Sequence, residues 1–262
     1  NGSLFGGQIL AQSLLSAAGT ITAKDRHLHS LHAYFTSPGN AKTHINYLVN
    51  NIKHGKSFSL TNVCAMQNDR TIFDALISFH NKESGIKHED SVDIPDIPNN
   101  IDRERMQKQY ESGAMKSGKL SHIAVIYNLY KNFFDMGVTT KNPYVFDLDG
   151  KMQAELWIKS RNNINTKDTV KHQAALICAS DFILFAGVIP HNVDMKNFQM
   201  ASIDHSFWLH QANINMNKWY FIRAKSHWAN NGRVLVNANI YNQDKLLVAS
   251  VAQEGICRLT KE

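Results

Sequence analysis

Residues 172–190 read HQAALICASDFILFAGVIP, the longest low-charge apolar stretch of the chain, and the ionisable residue in its middle is Asp181. Its length predicts a buried helix and is too short for a membrane span once Asp181 interrupts it. Thr169 is placed to cap this helix and Pro190 to end it. Because the helix is apolar on almost all sides, other structure has to cover it. A buried carboxylate in such a helix is either a satisfied structural residue or a functional group with a perturbed pKa.

The composition is that of an ordinary globular protein, with 262 residues of which 43% are hydrophobic and 19% charged, so disorder is excluded. The net charge of +6 comes from scattered Lys and Arg, without the basic runs of nucleic-acid-binding arms. That charge fits either a basic solvated surface or a polyanionic small ligand. The three cysteines lack CxxC spacing and the 13 histidines lack HxxxH spacing. We therefore expect buried thiols in a reducing compartment and no metal site.

The remaining elements are predicted from apolar periodicity and turn signals. Leucines at helical spacing predict a helix over residues 5–18. In the first half, strands are predicted at residues 29–35, 44–52, 57–67 and 71–80. In the second half, strands are predicted at residues 144–146, 153–160, 201–210, 219–226, 233–241 and 246–257.

The two halves carry a divergent internal repeat. GKSFSLTNVCAMQNDRTIFDALISF in the first half corresponds to GRVLVNANIYNQDKLLVASVAQE in the second. Between them, an IPDIP segment cannot form a regular element, and a polar helix is predicted at residues 102–115. We predict an N-terminal unit over residues 1–82, a linker over 83–119 and a C-terminal unit over 120–262. In each unit an antiparallel sheet wraps a buried helix, which makes the fold class α+β.

Five stretches spread over residues 5–257 carry a resemblance to a known family; they are FGGQILAQSL, HSLHAYFTSPG, ASD at 179–181, ASIDHSFWLH and LLVASVAQEG. Together they resemble the type II acyl-CoA thioesterases, bacterial and peroxisomal. The resemblance implies a double hotdog fold, in which two antiparallel sheets each wrap a central helix. It also implies that the first strand of the N-terminal hotdog precedes the chain.

The resemblance further implies a catalytic triad that orients the water molecule attacking a thioester. Motif by motif, it assigns this role to Asp181, Ser202 and Gln253. It gives His29 a supporting, substrate-binding role, although His29 fits a core or interface histidine equally well. His205, in the DHS (residues 204–206) of the ASIDHSFWLH stretch, is interpreted as structural.

The residues themselves support the triad less specifically. Gln253 lies on the strand face of Val251 and Ala249, which should meet the helix, and a buried amide there needs a partner such as Asp181. Ser202, by contrast, alternates with polar residues and on pattern alone lies on a solvated face.

The expected substrate is a fatty acyl-CoA, with no cofactor, because coenzyme A is part of the substrate. A thioester needs no enzyme nucleophile, since oriented water suffices and the thiolate leaves readily. The N–H groups of Gly6 and Gly7, at a helix start, are candidate oxyanion donors.

Two other functions remain open. One is a hotdog dehydratase or hydratase that uses a His–Asp or His–Glu pair near His29, and the other is a non-catalytic acyl-CoA-binding module. We expect a homo-oligomer, since open sheet edges are normally covered, with no nucleic-acid partner and no membrane span. The family implies an intracellular protein of the peroxisomal matrix, with the cytoplasm as alternative.

Overall fold

The computed structural model describes residues 4–22, 26–90, 92–97, 132–138, 153–184 and 198–259. The helices are α1 (Gly6–Ala18), α2 (Thr169–Ser180) and a 3₁₀ helix (Asp181–Leu184) directly after α2. The strands of the first half are β1 (Arg26–Phe35), β2 (Asn46–His54), β3 (Phe58–Gln67) and β4 (Arg70–Asn81). Those of the second half are β5 (Phe134–Val138), β6 (Gln153–Ser160), β7 (Phe198–Ser202), β8 (Asp204–Leu209), β9 (Tyr220–Asn230), β10 (Arg233–Tyr241) and β11 (Leu247–Leu259).

In the described part of the chain, these strands form one 11-stranded sheet in which every neighbouring pair is antiparallel. The order is β2-β3-β4-β1-β8-β11-β10-β9-β6-β5, and β7 pairs with β11. The α+β class is thereby confirmed. The two sheets expected from the sequence are joined edge to edge, because β1 pairs with β8 from Ser30↔Trp208 to Tyr34↔Asp204.

The order of the strands shows the internal repeat as a structural symmetry. In the first half β2, β3 and β4 form two hairpins and β1 lies beside β4; in the second half β9, β10 and β11 form two hairpins and β8 lies beside β11. Asn68 and Asp69 have positive φ in the β3–β4 turn, and Lys245 has positive φ in the equivalent β10–β11 turn. Such turns match the twist of the strands they join. The repeat predicted from the sequence is therefore confirmed by the topology.

The two central helices pack against each other on the inner face of the sheet. Helix α1 contributes Leu10 and Leu14 to the core and α2 contributes Leu176 and Ile177, all fully buried. The prediction that Thr169 caps α2 is wrong. Asp168 is the N-cap, and its side chain accepts a hydrogen bond from the backbone N–H of Lys171. A carboxylate suits this position because it satisfies a free N–H and faces the positive end of the helix dipole.

The predicted linker is described only in part. Residues 83–90 and 92–97 contain no helix or strand, and Ile94 packs with Trp157, Phe221 and Tyr241 in a small second core. The polar helix predicted at residues 102–115 and the strand at 144–146 lie outside the described residues. The sequence did not predict β5 (FDMGV), because its alternation covers only five residues and includes Asp135 and Gly137, whose residue types are disfavoured in strands. The division at residues 82 and 119 stays a prediction.

Candidate active site

Asp181 lies where α2 ends and the 3₁₀ helix begins, and only 6% of it is exposed. The α-helix stops here rather than running to Pro190 as predicted, and residues 185–190 lie outside the described part of the chain. This position brings the carboxylate to the start of α1, where the backbone N–H of Gly7 donates to Oδ2 at 2.8 Å. A helix N-terminus stabilises an anion through its free N–H groups and its dipole.

The other carboxylate oxygen of Asp181 belongs to a closed triangle of hydrogen bonds. The amide Nε2 of Gln253 donates to Asp181 Oδ1 at 2.7 Å and to Ser202 Oγ at 2.8 Å. The Ser202 hydroxyl donates to the same Oδ1 at 3.3 Å. The prediction that these three residues meet within hydrogen-bond reach is therefore confirmed. Their catalytic role stays a prediction.

Each side chain of the triangle comes from a different element. Asp181 ends α2, Ser202 ends β7, and Gln253 lies in β11 on the inner face with Val251, as the alternation of β11 predicted. Asp181 and Gln253 are buried whereas Ser202 is half-buried. Ser202 is thus the member of the triangle that a substrate or water molecule can reach most readily.

Ser202 faces inward because of a bulge that the alternation could not show. Ser202 pairs with Gly255 and Ser206 pairs with Ala252, so four steps along β7 and β8 match three along β11. The extra residue is Ile203, between the two strands, whose N–H donates to the carbonyl of Glu254 at 2.9 Å. One extra residue reverses the faces on either side of a bulge. The inward position that the motif resemblance implied for Ser202 therefore holds, and the solvated face that fits its alternation alone does not.

Glycines allow the two helices to approach at the site. A Cβ added to Gly6 would lie 2.9 Å from Asp181 Oδ2, and a Cβ on Gly7 would lie 2.5 Å from the backbone oxygen of Cys178. A side chain at Gly7 would therefore force α1 away from α2, and one at Gly6 would displace the Asp181 carboxylate. Because the N–H of Gly7 is taken up by Asp181, its predicted role as an oxyanion donor is wrong, and Gly6 remains the candidate of that pair.

Burial and hydrogen bonding act in opposite directions on Asp181. Desolvation raises the pKa of its carboxyl above the ordinary 3.8, while hydrogen bonds from Gln253, Gly7 and Ser202 lower it, with burial the larger effect. Three donors to two oxygens match an ionised carboxylate, which only accepts. A carboxylate that is ionised but more basic than usual suits a proton acceptor near neutral pH.

His29 lies away from this triangle. Its ring Nε2 is 2.8 Å from Ser78 Oγ, and the ring packs edge-on against Phe58 and His80. None of these described contacts involves Asp181, Ser202 or Gln253. His29 is half-buried among aromatic rings near the start of β1. Its proposed substrate-binding role stays a prediction.

Sequence reasoning missed a buried pair beside the triangle. Ser180, the last residue of α2, places its hydroxyl 2.9 Å from His205 Nε2 on β8, and both residues are fully buried. Desolvation lowers the pKa of His205 to about 4, against an opposing hydrogen-bond effect from Gln253, so the ring is neutral near pH 7. In the sequence, Ser180 directly precedes Asp181 and His205 is the central residue of DHS. Their positions within these motifs were the signal that could have indicated the pair.

The sequence also led to expectations about cysteines, metal sites and membrane spans. Where the sequence predicted buried thiols, the free cysteines Cys64, Cys178 and Cys257 are each half-buried. Within the described ranges, no group of three or more His, Cys, Asp or Glu side chains is arranged to hold a metal ion. In the same residues, no helix is long and apolar enough to cross a membrane.

Known proteins are similar to this chain in both sequence and fold. Residues 1–80 match the acyl-CoA thioesterase N-terminal domain, and residues 119–257 match the acyl-CoA thioesterase C-terminal domain. Acyl-CoA thioesterase 2 of Haemophilus influenzae is 32% identical over 266 residues, which cover 98% of this chain and 88% of that protein. Acyl-coenzyme A thioesterase 8 of Mus musculus is 30% identical over 263 residues, covering 98% of this chain and 80% of that protein.

A solved structure extends the likeness to three dimensions. The acyl-CoA thioesterase II TesB2 from Mycobacterium marinum has a TM-score of 0.77 and 28% identity, with 98% of this chain and 90% of that chain covered. The matched ranges include α1 and β1 to β4 in the first half, and Asp181, Ser202 and Gln253 in the second. The resemblance inferred from five short stretches is therefore confirmed. The chain belongs to the acyl-CoA thioesterase family.

Proposed function

We propose that this acyl-CoA thioesterase hydrolyses fatty acyl-CoA with a water molecule that Asp181 deprotonates and that Ser202 and Gln253 orient. The observation that carries the proposal is the closed triangle, in which Gln253 Nε2 lies 2.7 Å from Asp181 Oδ1 and 2.8 Å from Ser202 Oγ. Three polar groups from separate elements converge on one atom-sized region of a largely apolar core. Burying polar groups costs free energy, so their convergence at one place indicates a role in binding or chemistry.

The proposed reaction needs one proton acceptor and no covalent enzyme intermediate. The oxygen of water forms a bond to the thioester carbonyl carbon while one water proton passes to the Asp181 carboxylate. The tetrahedral oxyanion then collapses to the carboxylic acid, the carbon–sulfur bond breaks with its electron pair on sulfur, and the thiolate takes the proton back from the Asp181 carboxyl, which returns the base to its ionised form as coenzyme A leaves. Fixing the water against the carbonyl removes most of the entropic cost of the attack.

Basic residues, in excess by a net charge of +6, suit the phosphates of coenzyme A.

The dehydratase alternative is not favoured by the surroundings of His29. That chemistry calls for a histidine paired with a carboxylate in a water-excluding site, and the ring of His29 contacts the Ser78 hydroxyl. The nearest histidine–carboxylate pair, His80 with Glu83 at 3.1 Å, has side chains 29% and 52% exposed. An exposed pair of this kind is solvated and screened.

A thiol-release assay on acyl-CoA substrates of graded chain length tests the proposal. We expect turnover of fatty acyl-CoA that survives dialysis against a metal chelator, because no step requires a cofactor. Absence of turnover with tight acyl-CoA binding would identify a non-catalytic binding module. Release of water from a 3-hydroxyacyl-CoA, without thiol release, would identify a hydratase.

Two further expectations accompany this function. Strand β2 ends the sheet and is mostly exposed along its length, which supports association of this edge with a second copy, and light scattering after gel filtration tests it. For the compartment, the peroxisomal matrix is our proposal, from the resemblance to peroxisomal family members, with the cytoplasm as the alternative. Microscopy of the tagged full-length protein tests that assignment.

A further inference from the structure

His205 on β8 is fully buried, and only one of its two ring nitrogens has a hydrogen-bond partner among the described residues. Nε2 lies 2.9 Å from Ser180 Oγ, whereas Nδ1 is buried and has none. Buried polar atoms without partners are uncommon in folded proteins. The environment of Nδ1 therefore calls for a physical explanation.

Gln253 has a matching orphan atom. Its Nε2 donates to Asp181 and to Ser202, and an ionised carboxylate only accepts, so the NH₂ group must face the triangle. The amide oxygen Oε1 consequently points away from the triangle. Oε1 is buried and, within the described residues, has no hydrogen-bond partner.

The pairing of β8 with β11 places these two orphan atoms near each other. The pairing of these strands runs to Ser206↔Ala252, and His205 and Gln253 are the next residues along the two strands; both side chains are fully buried. Directly opposite residues of an antiparallel pair have neighbouring side chains. The side chain of Gln253 is also the group that opposes desolvation and raises the pKa of His205.

The two neutral forms of the imidazole differ in how many atoms they leave unpaired. If Nε2 carries the proton, it donates to Ser180 Oγ, and the lone pair of Nδ1 faces the lone pairs of Gln253 Oε1. If Nδ1 carries the proton, it can donate to Oε1, and the Ser180 hydroxyl can donate to Nε2. The hydroxyl then leaves its other acceptor, the carbonyl of Ile177 at 2.8 Å. Each form makes two hydrogen bonds, but the first leaves both His205 Nδ1 and Gln253 Oε1 unpaired, whereas the second takes the hydroxyl only from the Ile177 carbonyl.

We infer that His205 carries its proton on Nδ1 and donates it to Gln253 Oε1, with Ser180 donating to Nε2, and that this contact holds the amide of Gln253 in its catalytic orientation. His205 is then a positioning residue, which acts on the water through Gln253. The inference deepens the function proposed above and rests on it. Held on both sides, the amide cannot rotate by half a turn, which would turn its oxygen toward the Asp181 carboxylate.

The tautomer itself is measurable on the unaltered protein. Ring-nitrogen NMR of the ¹⁵N-histidine-labelled protein should show a neutral imidazole protonated at Nδ1, assigned to His205 by its absence from the His205→Gln spectrum. A ring protonated at Nε2 overturns the inference. This readout does not require any variant to be active, and it is independent of whether Asp181 is the base.

Two substitutions separate the two ring nitrogens. An asparagine amide lies near the position of Nδ1, and a glutamine amide lies near that of Nε2. We expect His205→Asn to retain most of the kcat, because its NH₂ can still donate to Gln253 Oε1. His205→Gln should lose about tenfold in kcat with KM unchanged, the effect of one lost hydrogen bond. Equal kcat values for the two variants, or a greater loss with asparagine, would overturn the inference.

His172 provides a matched control. It is a fully buried histidine on α2, its Nδ1 accepts from the backbone N–H of Met216 at 3.0 Å, and its Nε2 is without a partner among the described residues. His172→Gln removes an Nδ1 hydrogen bond of a buried histidine outside the triangle, so it should lower Tm but leave kcat unchanged. A similar loss of kcat in this control would show that the His205→Gln effect is general, and the inference fails. Retained turnover in Asp181→Asn would instead overturn the proposed water mechanism while leaving the tautomer result intact.

Discussion

Gly7 and Asp181 are 174 positions apart in the chain, and the backbone N–H of Gly7 donates to Asp181 Oδ2 at 2.8 Å. The proposed base in the second half is therefore anchored by the first helix of the first half. A carboxylate at a helix N-terminus gains about 0.3–1 kcal/mol, and up to about 2 kcal/mol where it is partly buried. The contact stabilises the ionised carboxylate against the desolvation around it, so the site depends on the packing of both halves.

Asp181→Asn keeps the size of the side chain but removes the proton acceptor. We expect kcat to fall by about 10²–10⁴, as for loss of a general base, while coenzyme A affinity changes little because the carboxylate faces the thioester. Thiol release and coenzyme A binding by calorimetry check the two parts. A variant that keeps near-normal kcat would remove Asp181 from the chemistry.

Ser202 is assigned an orienting role, so its substitutions should have graded effects. Ser202→Thr keeps the hydroxyl and should be mild, whereas Ser202→Ala loses one hydrogen bond worth about 0.5–1.5 kcal/mol, or about tenfold in rate at the upper end. Steady-state kinetics of both variants measures this order. If Ser202→Ala abolishes turnover and the unaltered enzyme shows an acyl-serine by rapid-quench mass spectrometry, Ser202 is a nucleophile.

Gly6→Ala tests the close approach of α1 to the carboxylate. The added Cβ would lie 2.9 Å from Asp181 Oδ2 and 3.0 Å from the ring of Phe35, so the carboxylate has to move. Because a displacement of about 1 Å can cost about 10² in rate, we expect kcat to fall by a comparable factor. Gly19→Ala at the other end of α1 is the control, since its Cβ would meet atoms no closer than 3.5 Å. Equal activity of the two variants would mean that the approach at Gly6 does not matter.

The acid side of the activity profile should report Asp181. Its carboxyl must be ionised to accept a proton, and burial raises its pKa above 3.8, so kcat should rise with pH through a midpoint above that value. The hydrogen bond from Gln253 lowers the pKa, so Gln253→Ala should move the midpoint to higher pH. A kcat profile of both proteins, limited to the pH range in which each is folded, measures the shift. A midpoint that moves to lower pH would contradict the assignment of Asp181 as the base.

Much of the fold follows from local pattern. The strands with clear alternation, such as β3, β10 and β11, are predicted within about two residues, the usual uncertainty of an element end. Strand β5 was not predicted because its alternation is only five residues long and contains two poor strand formers, Asp135 and Gly137, so its pairing with β6 decides the structure. The joining of the halves at β1 and β8 has no local signal either, because it is a pairing between strands that are far apart in the sequence.

The candidate site divides in the same way. Gln253 was placed correctly because β11 alternates regularly on both sides of it. Ser202 was assigned to the site only through its motif, because its alternation with neighbouring polar residues is interrupted by the bulge at Ile203, which arises from the different registers of β7 and β8 against β11. The contact between Ser180 and His205 depends on the same register and on the end of α2, so no single stretch of sequence contains it.

Burial of His205 should also make the protein sensitive to acid. Its pKa is lowered from 6.5 to about 4, chiefly by desolvation. Between these values the unfolded chain binds the proton and the folded protein does not, so this contribution to stability is complete above pH 6.5 and is lost as pH falls toward 4. At about 1.4 kcal/mol for each pKa unit, the contribution is roughly 3 kcal/mol.

Asp181, with a raised pKa, acts in the opposite sense, so the comparison must isolate His205. Urea unfolding of the unaltered protein and of His205→Asn between pH 7.5 and 4.5 does so, and we expect the stability advantage of the unaltered protein to shrink by a few kcal/mol across this range. A constant difference between the two proteins would mean that His205 titrates normally and that its site is more open to water than its burial indicates.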